Sequence, residues 1–181
     1  MSQPGDDPYP PVVPAPGRDA RAPGVDRDIY GMPAFVSLAV RDIEAARDWY
    51  TRGLDFIDLF SVPGPAGVPL LVHLRRWRFQ DILLRPAEGE VIPGTTVTLS
   101  IAAVVGELDA LADRARRHGG GQVDGPADTP WNTRDLRTRD PDGNLVVFTA
   151  PRPPEDTDPA FSARIRDLAD DQLGSGGGGA T

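Results

Sequence analysis

Hydrophobic and polar positions between residues 35 and 53 follow two periods in succession. In the extended segment "FVSLAV", alternate side chains go to opposite faces. Phe35, Ser37 and Ala39 share one face, and Val36, Leu38 and Val40 the other. The next residues switch to helical spacing, with Ile43, Ala46, Trp49 and Tyr50 on one side, Asp42 as the cap and Gly53 as the stop. The same plan returns about 65 residues later in "TLSIAAVVGELDALADRARRHGG". There Leu99, Ile101 and Ala103 oppose Thr98, Ser100 and Ala102, and Leu108, Leu111 and Ala115 mark a helix. Asp113 and Arg117 are spaced as an i,i+4 pair, and His118 with Gly119 closes the helix at its negative end.

Three short strand candidates follow each helix. They are "DFIDLFSV", "PLLVHLRRW" and "FQDILLRPA", then "GQVDG", "TRDLRTR" and "NLVVFTA". The separators "PGPAG", "RPAEGEVIPG" and "DPDG" are rich in turn residues. The order is βαβββ twice, a duplication that predicts an α+β fold. Its two tandem units, about 32–88 and 95–151, form a cleft-bearing mixed, mostly antiparallel sheet within a domain of residues 30–152. Each unit buries one sheet face under its helix and turns the other to a cleft.

The flanks carry no such pattern. Residues 1–29 are rich in Pro, Asp and Gly and read as a disordered arm. Residues 153–173 hold a short helix capped by Asp158 with Pro159 in its first turn, and Phe161, Ile165 and Leu168 on one face. That face serves packing on its own domain, a lid or a dimer contact. Residues 174–181 are a flexible Gly-rich tail.

Composition narrows the function. The 181 residues include no cysteine, which removes disulfides, thiolate metal sites and thiol nucleophiles. Net charge is -8, and the segments 1–29 and 153–181 hold -2 and -4 of it. The fold-forming part is close to neutral, without the basic face expected of a nucleic-acid binder. No run is long and apolar enough to span a membrane, and the acidic, proline-rich start lacks the apolar stretch of a secretory signal, so a cytoplasmic location is expected.

Three stretches, "SLAVRDIEAARDWYTRGLDF", "ELDALADRARRHGG" and "TPWNTRDLRTRDPDGNLVVF", resemble the vicinal oxygen chelate superfamily over about residues 32–151. That group includes glyoxalases, extradiol dioxygenases, fosfomycin-resistance enzymes and bleomycin-resistance binding proteins. Its metal-dependent members place His, Gln or Glu at equivalent points of four cleft-facing strands. The resemblance carries those points onto Phe35, Leu83, Ser100 and Val147, none of which is a competent ligand beyond a weak hydroxyl at Ser100. The two histidines, His73 and His118, fall elsewhere. No metal and no other cofactor is expected. An apolar, partly aromatic pocket takes the place of an ion site, and such pockets suit small organic molecules.

Phe35, Ser37, His73, Trp77, Phe79, Leu83, Ser100, Trp131 and Val147 are the candidate ligand-binding residues. Flat aromatics stack on planar heterocycles; each Trp serves equally for core or dimer packing. Asn132 stands where the related binding proteins tend to carry glycine in a "PWG-R"-like segment. The resulting expectation is a metal-free protein, closest in character to the bleomycin-resistance-like binders, that sequesters a small aromatic or heterocyclic natural product, as a resistance-type binding protein does. The resemblance also implies a homodimer. No nucleic-acid or membrane partner is expected. The alternative is a cofactor-free isomerase, cyclase or lyase of secondary metabolism using His73, Asp81 or Asp135 as acid and base. A metal-dependent lyase or dioxygenase is a distant third.

Overall fold

The computed structural model describes residues 14–25, 27, 35–92 and 97–174. The remaining arm and tail positions of the expected disordered flanks lie outside the described residues. Two βαβββ units follow one another. The first comprises β1 (Val36–Val40), α1 (Ile43–Asp48), β2 (Ile57–Val62), β3 (Leu71–Arg75) and β4 (Asp81–Pro86). The second comprises β5 (Thr98–Ala102), α2 (Val105–His118), β6 (Gln122–Asp128), β7 (Thr133–Arg139) and β8 (Leu145–Pro151). A last helix, α3, spans Pro159–Gly174. The sheets have the orders β1-β4-β3-β2 and β5-β8-β7-β6. In each, one parallel pair (β1 with β4, β5 with β8) is joined by two antiparallel pairs. Among the described residues no helix is long and apolar enough to cross a membrane.

Strand alternation sorts side chains as the sequence predicts. Val40, Ile101 and Ala103 are buried in the core, with Val36, Leu38 and Leu99 packed against it. Asp42 Oδ1 accepts from the backbone N–H groups of Glu44 (3.1 Å) and Ala45 (3.0 Å), which fixes the start of α1. The first helix is not uniform: its last turn, Trp49–Gly53, is π-helical. Asp113 pairs with Arg116 at i+3 (3.6 Å) rather than with Arg117 as its spacing suggests. β6 continues past Gly125 through a register shift between Asp124 and Ala127, so it outruns the short strand expected there.

One continuous core joins the units. Trp49 lies against the entry to β6 so closely that a Cβ on Gly121 would come within 2.6 Å of its ring and 2.3 Å of the Arg139 carbonyl oxygen. The "RDPDGN" turn supplies a second tie. Asp140 Oδ1 accepts from the N–H of Asp142 (3.0 Å) and Asn144 (2.8 Å), and Oδ2 from Asn144 Nδ2 (2.9 Å) and the Tyr50 hydroxyl (3.0 Å). Asp142 Oδ1 accepts from Arg41 Nε at 2.6 Å. Burial, more than anything else, pushes the Asp140 carboxyl above its ordinary value, although its hydrogen bonds oppose that shift. The Tyr50 hydroxyl is raised well above its own ordinary value, by burial first and then by the Asp140 charge.

The flanks are fastened at the end of β8. Pro14, Pro16 and Ala20 lie over the β5–α2 junction with Val104 and Pro151, and Arg18 pairs with Glu155 (2.8 Å) and Asp156 (2.6 Å). Residues 14–20 of the arm thus have a defined seat. The N–H of Ala160 bonds Asp158 Oδ1 at 2.9 Å, the cap expected of α3. The face expected to join Phe161 to Ile165 and Leu168 lies partly outside the described residues.

Gly121→Ala is expected to destabilise the protein by about 2 kcal/mol or more, since backbone and a buried indole both oppose the methyl group. Gly106→Ala, in open space within α2, should be neutral or stabilise by up to about 1 kcal/mol. Urea denaturation of the two variants checks the contrast. Tyr50→Phe should cost about 2 kcal/mol at neutral pH through loss of a donor to a buried carboxylate. The raised carboxyl protonates in the folded state before it does in the unfolded state. The cost of Tyr50→Phe should therefore shrink as pH falls through that raised value, which the same titration repeated in acid would show.

Candidate functional site

β1 and β5 are the edge strands of their sheets, and a groove of about 530 Å³ opens between them. Its walls come from Phe35 and Val36, from the β3–β4 turn and the start of β4, and from Val97–Ala102. Phe79, held at a φ of 64°, is exposed there, and the Arg78 guanidinium lies 5.2 Å from its ring. Thr98 and Ser100 add hydroxyls, and Arg78 and Gln80 further polar groups, to a largely apolar wall.

Arg76 is buried between the units, behind the groove's lining. It is 2% exposed, donates to the Ala102 carbonyl (3.0 Å), pairs with Glu107 (2.5 Å), and lies over the rings of Trp77 (4.7 Å) and Phe148 (5.2 Å). Gln80 Nε2 also donates to the Ala102 carbonyl, at 2.9 Å. Side chains of the first unit therefore satisfy part of the edge of β5, which an unpaired strand would otherwise present to any passing chain. Neither Arg76 nor Gln80 was legible as a site residue, because "RRWRFQ" reads as a surface charge run.

On the same face as Phe35, the first sheet carries a buried polar cluster. Asp81 Oδ1 receives Arg75 Nε at 2.8 Å and lies 2.7 Å from His73 Nε2. A carboxylate only accepts, so the imidazole donates from Nε2. The Phe60 ring meets His73 edge-on at 5.1 Å. Asp81 and Arg75 form an ion pair, and both are buried.

The candidate residues do not converge on one spot. Phe35, Phe79 and Ser100 line the groove with Asp81. Ser37 and Leu83 are paired across β1 and β4, and Leu83 is also paired with His73 on β3. Val147 is buried on β8 opposite Ser100 and Arg137. Trp77 is 3% exposed and is absent from the groove's walls. Trp131 is exposed beside a separate depression of about 170 Å³ that includes Asp135 and Arg137. Asp135 Oδ1 accepts the hydroxyls of Thr133 and Thr149, both at 2.8 Å, and lies on the second unit, apart from His73 and Asp81.

Strand register sets the four family ligand positions at two levels of the sheets. Ser37 pairs with Leu83 as Ser100 pairs with Val147. The counterpart of Ser100 in the first unit is thus Ser37, and Phe35 corresponds to Thr98, one pleat away. None of these six positions carries an imidazole or carboxylate, and among the described residues no three His, Cys, Asp or Glu side chains converge on a common point. Asn132 has a φ of 63°, which explains a glycine preference at that place. Its side chain bonds both the N–H (2.7 Å) and the carbonyl (3.1 Å) of Asp158, clasping the start of α3.

A sequence model described as the Glyoxalase/Bleomycin resistance protein/Dioxygenase superfamily matches residues 33–148. The chain belongs to this superfamily. Among solved structures it is similar to TnmS3 of Streptomyces sp. CB03234, named as an antibiotic binding protein. The two share 28% identity, over 65% of this chain and 93% of that one, with a TM-score of 0.51. TioX from Micromonospora sp. ML1 shares 24% identity over 66% of this chain and 98% of that one, with a TM-score of 0.51. The fosfomycin resistance protein FosX of Listeria monocytogenes shares 14% identity over 68% of this chain and 94% of that one, with a TM-score of 0.53, a likeness of fold alone. No curated protein matches the chain. The superfamily accounts for the paired βαβββ units and leaves the buried Asp81 cluster to be explained by its own chemistry.

Asp81→Ala is expected to cost about 3–5 kcal/mol, because it removes the carboxylate facing a buried guanidinium. Asp135→Ala, which deletes an acceptor for two hydroxyls, should cost about 1 kcal/mol. Chemical denaturation of both variants measures the difference.

Proposed function

We propose that this protein binds a small aromatic or heterocyclic natural product and holds it unchanged, as a resistance-type sequestering protein. The observation that carries this reading is the groove between β1 and β5. It is concave and predominantly apolar, with Phe35 and Phe79 as flat walls and only a few polar atoms, the composition suited to a planar organic ligand. Hydrophobic or hydroxyl side chains at Phe35, Ser37, Thr98, Leu83, Ser100 and Val147 support binding without a metal. The similarity to TnmS3, an antibiotic binding protein, supports the same class of ligand.

The proposal includes a homodimer, in the cytoplasm. Phe60, Val62, Val68 and Leu70 along β2 and the following loop are exposed apolar side chains, a surface that an assembled partner would cover. A second reading, cofactor-free acid–base catalysis, is favoured by the 2.7 Å contact between His73 and Asp81. Asp135 accepts two threonine hydroxyls and lines a separate depression.

Titration with a panel of planar aromatic antibiotics, followed by native mass spectrometry with metal analysis, tests the proposal. A dimer carrying ligand of unaltered mass, without stoichiometric metal, is the expected result. Phe35→Ala should weaken binding about tenfold through lost stacking and apolar contact. A ligand released with a changed mass would favour catalysis instead, and a stoichiometric ion would overturn the metal-free reading.

A further inference from the structure

We infer that the groove takes its aromatic ligand on an amide backbone, as a short extended peptide-like segment added to the open edge of β5 at Thr98 and Ser100. The inference rests on the binding reading above and names the ligand chemistry that reading leaves open. In a strand, the N–H and C=O of one residue point to the same side, and successive residues alternate sides. The Ala103 N–H donates to the Thr149 carbonyl at 2.9 Å, so the backbone groups of Ala103, Ile101 and Leu99 face β8. Those of Ala102, Ser100 and Thr98 therefore face away from β8, toward the groove that these residues line. The Ala102 carbonyl bears out this direction, since Arg76 (3.0 Å) and Gln80 (2.9 Å) reach it from the first unit. The backbone groups of Thr98 and Ser100 have no such partner among the described residues, and both residues are exposed.

These open groups decide what can lie against β5. A flat ring with neither donor nor acceptor would strip water from the N–H and C=O groups it covers and return nothing for them. A secondary amide brings both a donor and an acceptor. An extended residue laid beside Ser100 accepts from its N–H and donates to its C=O, the paired bonds by which peptides add to sheet edges. Its aromatic side chain then meets the flat walls of Phe35 and Phe79. Length is bounded as well. Beyond Ser100 the edge is closed, because the Ala102 carbonyl already accepts two bonds. The groove's volume of about 530 Å³ lies in the small-molecule range, room for roughly two ligand residues rather than a strand of another protein.

The test uses the full chain and two probes that differ at one position, N-acetylphenylalanine N-methylamide and O-acetyl-3-phenyllactic acid N-methylamide, whose ester oxygen replaces the amide N–H. The amide should bind about tenfold more tightly than the ester, which loses the donor and sets an oxygen against the Ser100 carbonyl. Its binding should also slow hydrogen exchange at the Ser100 N–H, followed by NMR. Ser100→Pro removes that N–H on the side away from β8, where an edge strand tolerates proline, and should weaken amide binding about tenfold. If that variant does not fold, as judged by circular dichroism, the two probes and the exchange of Ser100 on the unaltered chain decide the matter. Equal affinity for the two probes would overturn the inference and leave the binding reading standing. Loss of the preference in Ser100→Ala would assign recognition to the hydroxyl and overturn it as well. Protection of the Ser100 N–H that rises with protein concentration, without any probe, would give the edge to a second copy, with the same consequence. Binding of a planar aromatic antibiotic but of neither probe would overturn the inference alone, and binding of none of them would overturn the reading on which it rests too.

Discussion

Asp140 accepts four hydrogen bonds inside the protein, three from its own turn and one from Tyr50 of the other unit. The position of everything else follows from that carboxylate. It rigidifies the turn between β7 and β8, and it fixes the last turn of the first helix against the second unit. Trp49, the neighbour of Tyr50, is then held over Gly121, where only a glycine fits. A buried carboxyl whose charge is disfavoured by its surroundings is a costly device unless each acceptor direction is used, and here the bonds are made. The "DPDGN" segment is therefore a structural hub, which is why the strand after it keeps its form although Val147 offers no metal ligand.

The groove is a consequence of that docking. Clasping the units by their helices and turns leaves the edges of β1 and β5 near each other without joining their hydrogen-bond ladders. An open edge is an aggregation hazard as well as a binding opportunity. Arg76 and Gln80 resolve this by bonding the Ala102 carbonyl from the side, while Arg76 also reaches Glu107 on α2. Of the two, Gln80 also lines the groove.

Local pattern was legible in the sequence wherever the physics is local. The alternation of Val36, Leu38 and Val40 against Phe35, Ser37 and Ala39, and the caps at Asp42 and Asp158, each depend on neighbours a few residues away. The register of β1 against β4 does not. It places Ser37, not Phe35, level with Leu83, and no single-strand pattern distinguishes the two, because both face the same side. Arg75 and Arg76 look like solvated charges in "RRWRFQ", and only the tertiary fold buries them. Asn132 looked like a departure from a glycine position. Its φ of 63° and its bonds to Asp158 show one residue meeting the backbone demand and also anchoring α3.

The Asp81 cluster bears on the choice between holding a ligand and transforming it. Burying an arginine, a carboxylate and a histidine on one sheet face contributes little to stability, since apolar side chains of similar volume usually do as well. Of its members only Asp81 is among the groove-lining residues, and its side chain is fully buried, while His73 is turned toward Asp81 and meets the Phe60 ring edge-on. A catalytic base must touch the atom it deprotonates. No side chain of the cluster is open to the groove in that way, which favours the proposed holding of a ligand over its transformation.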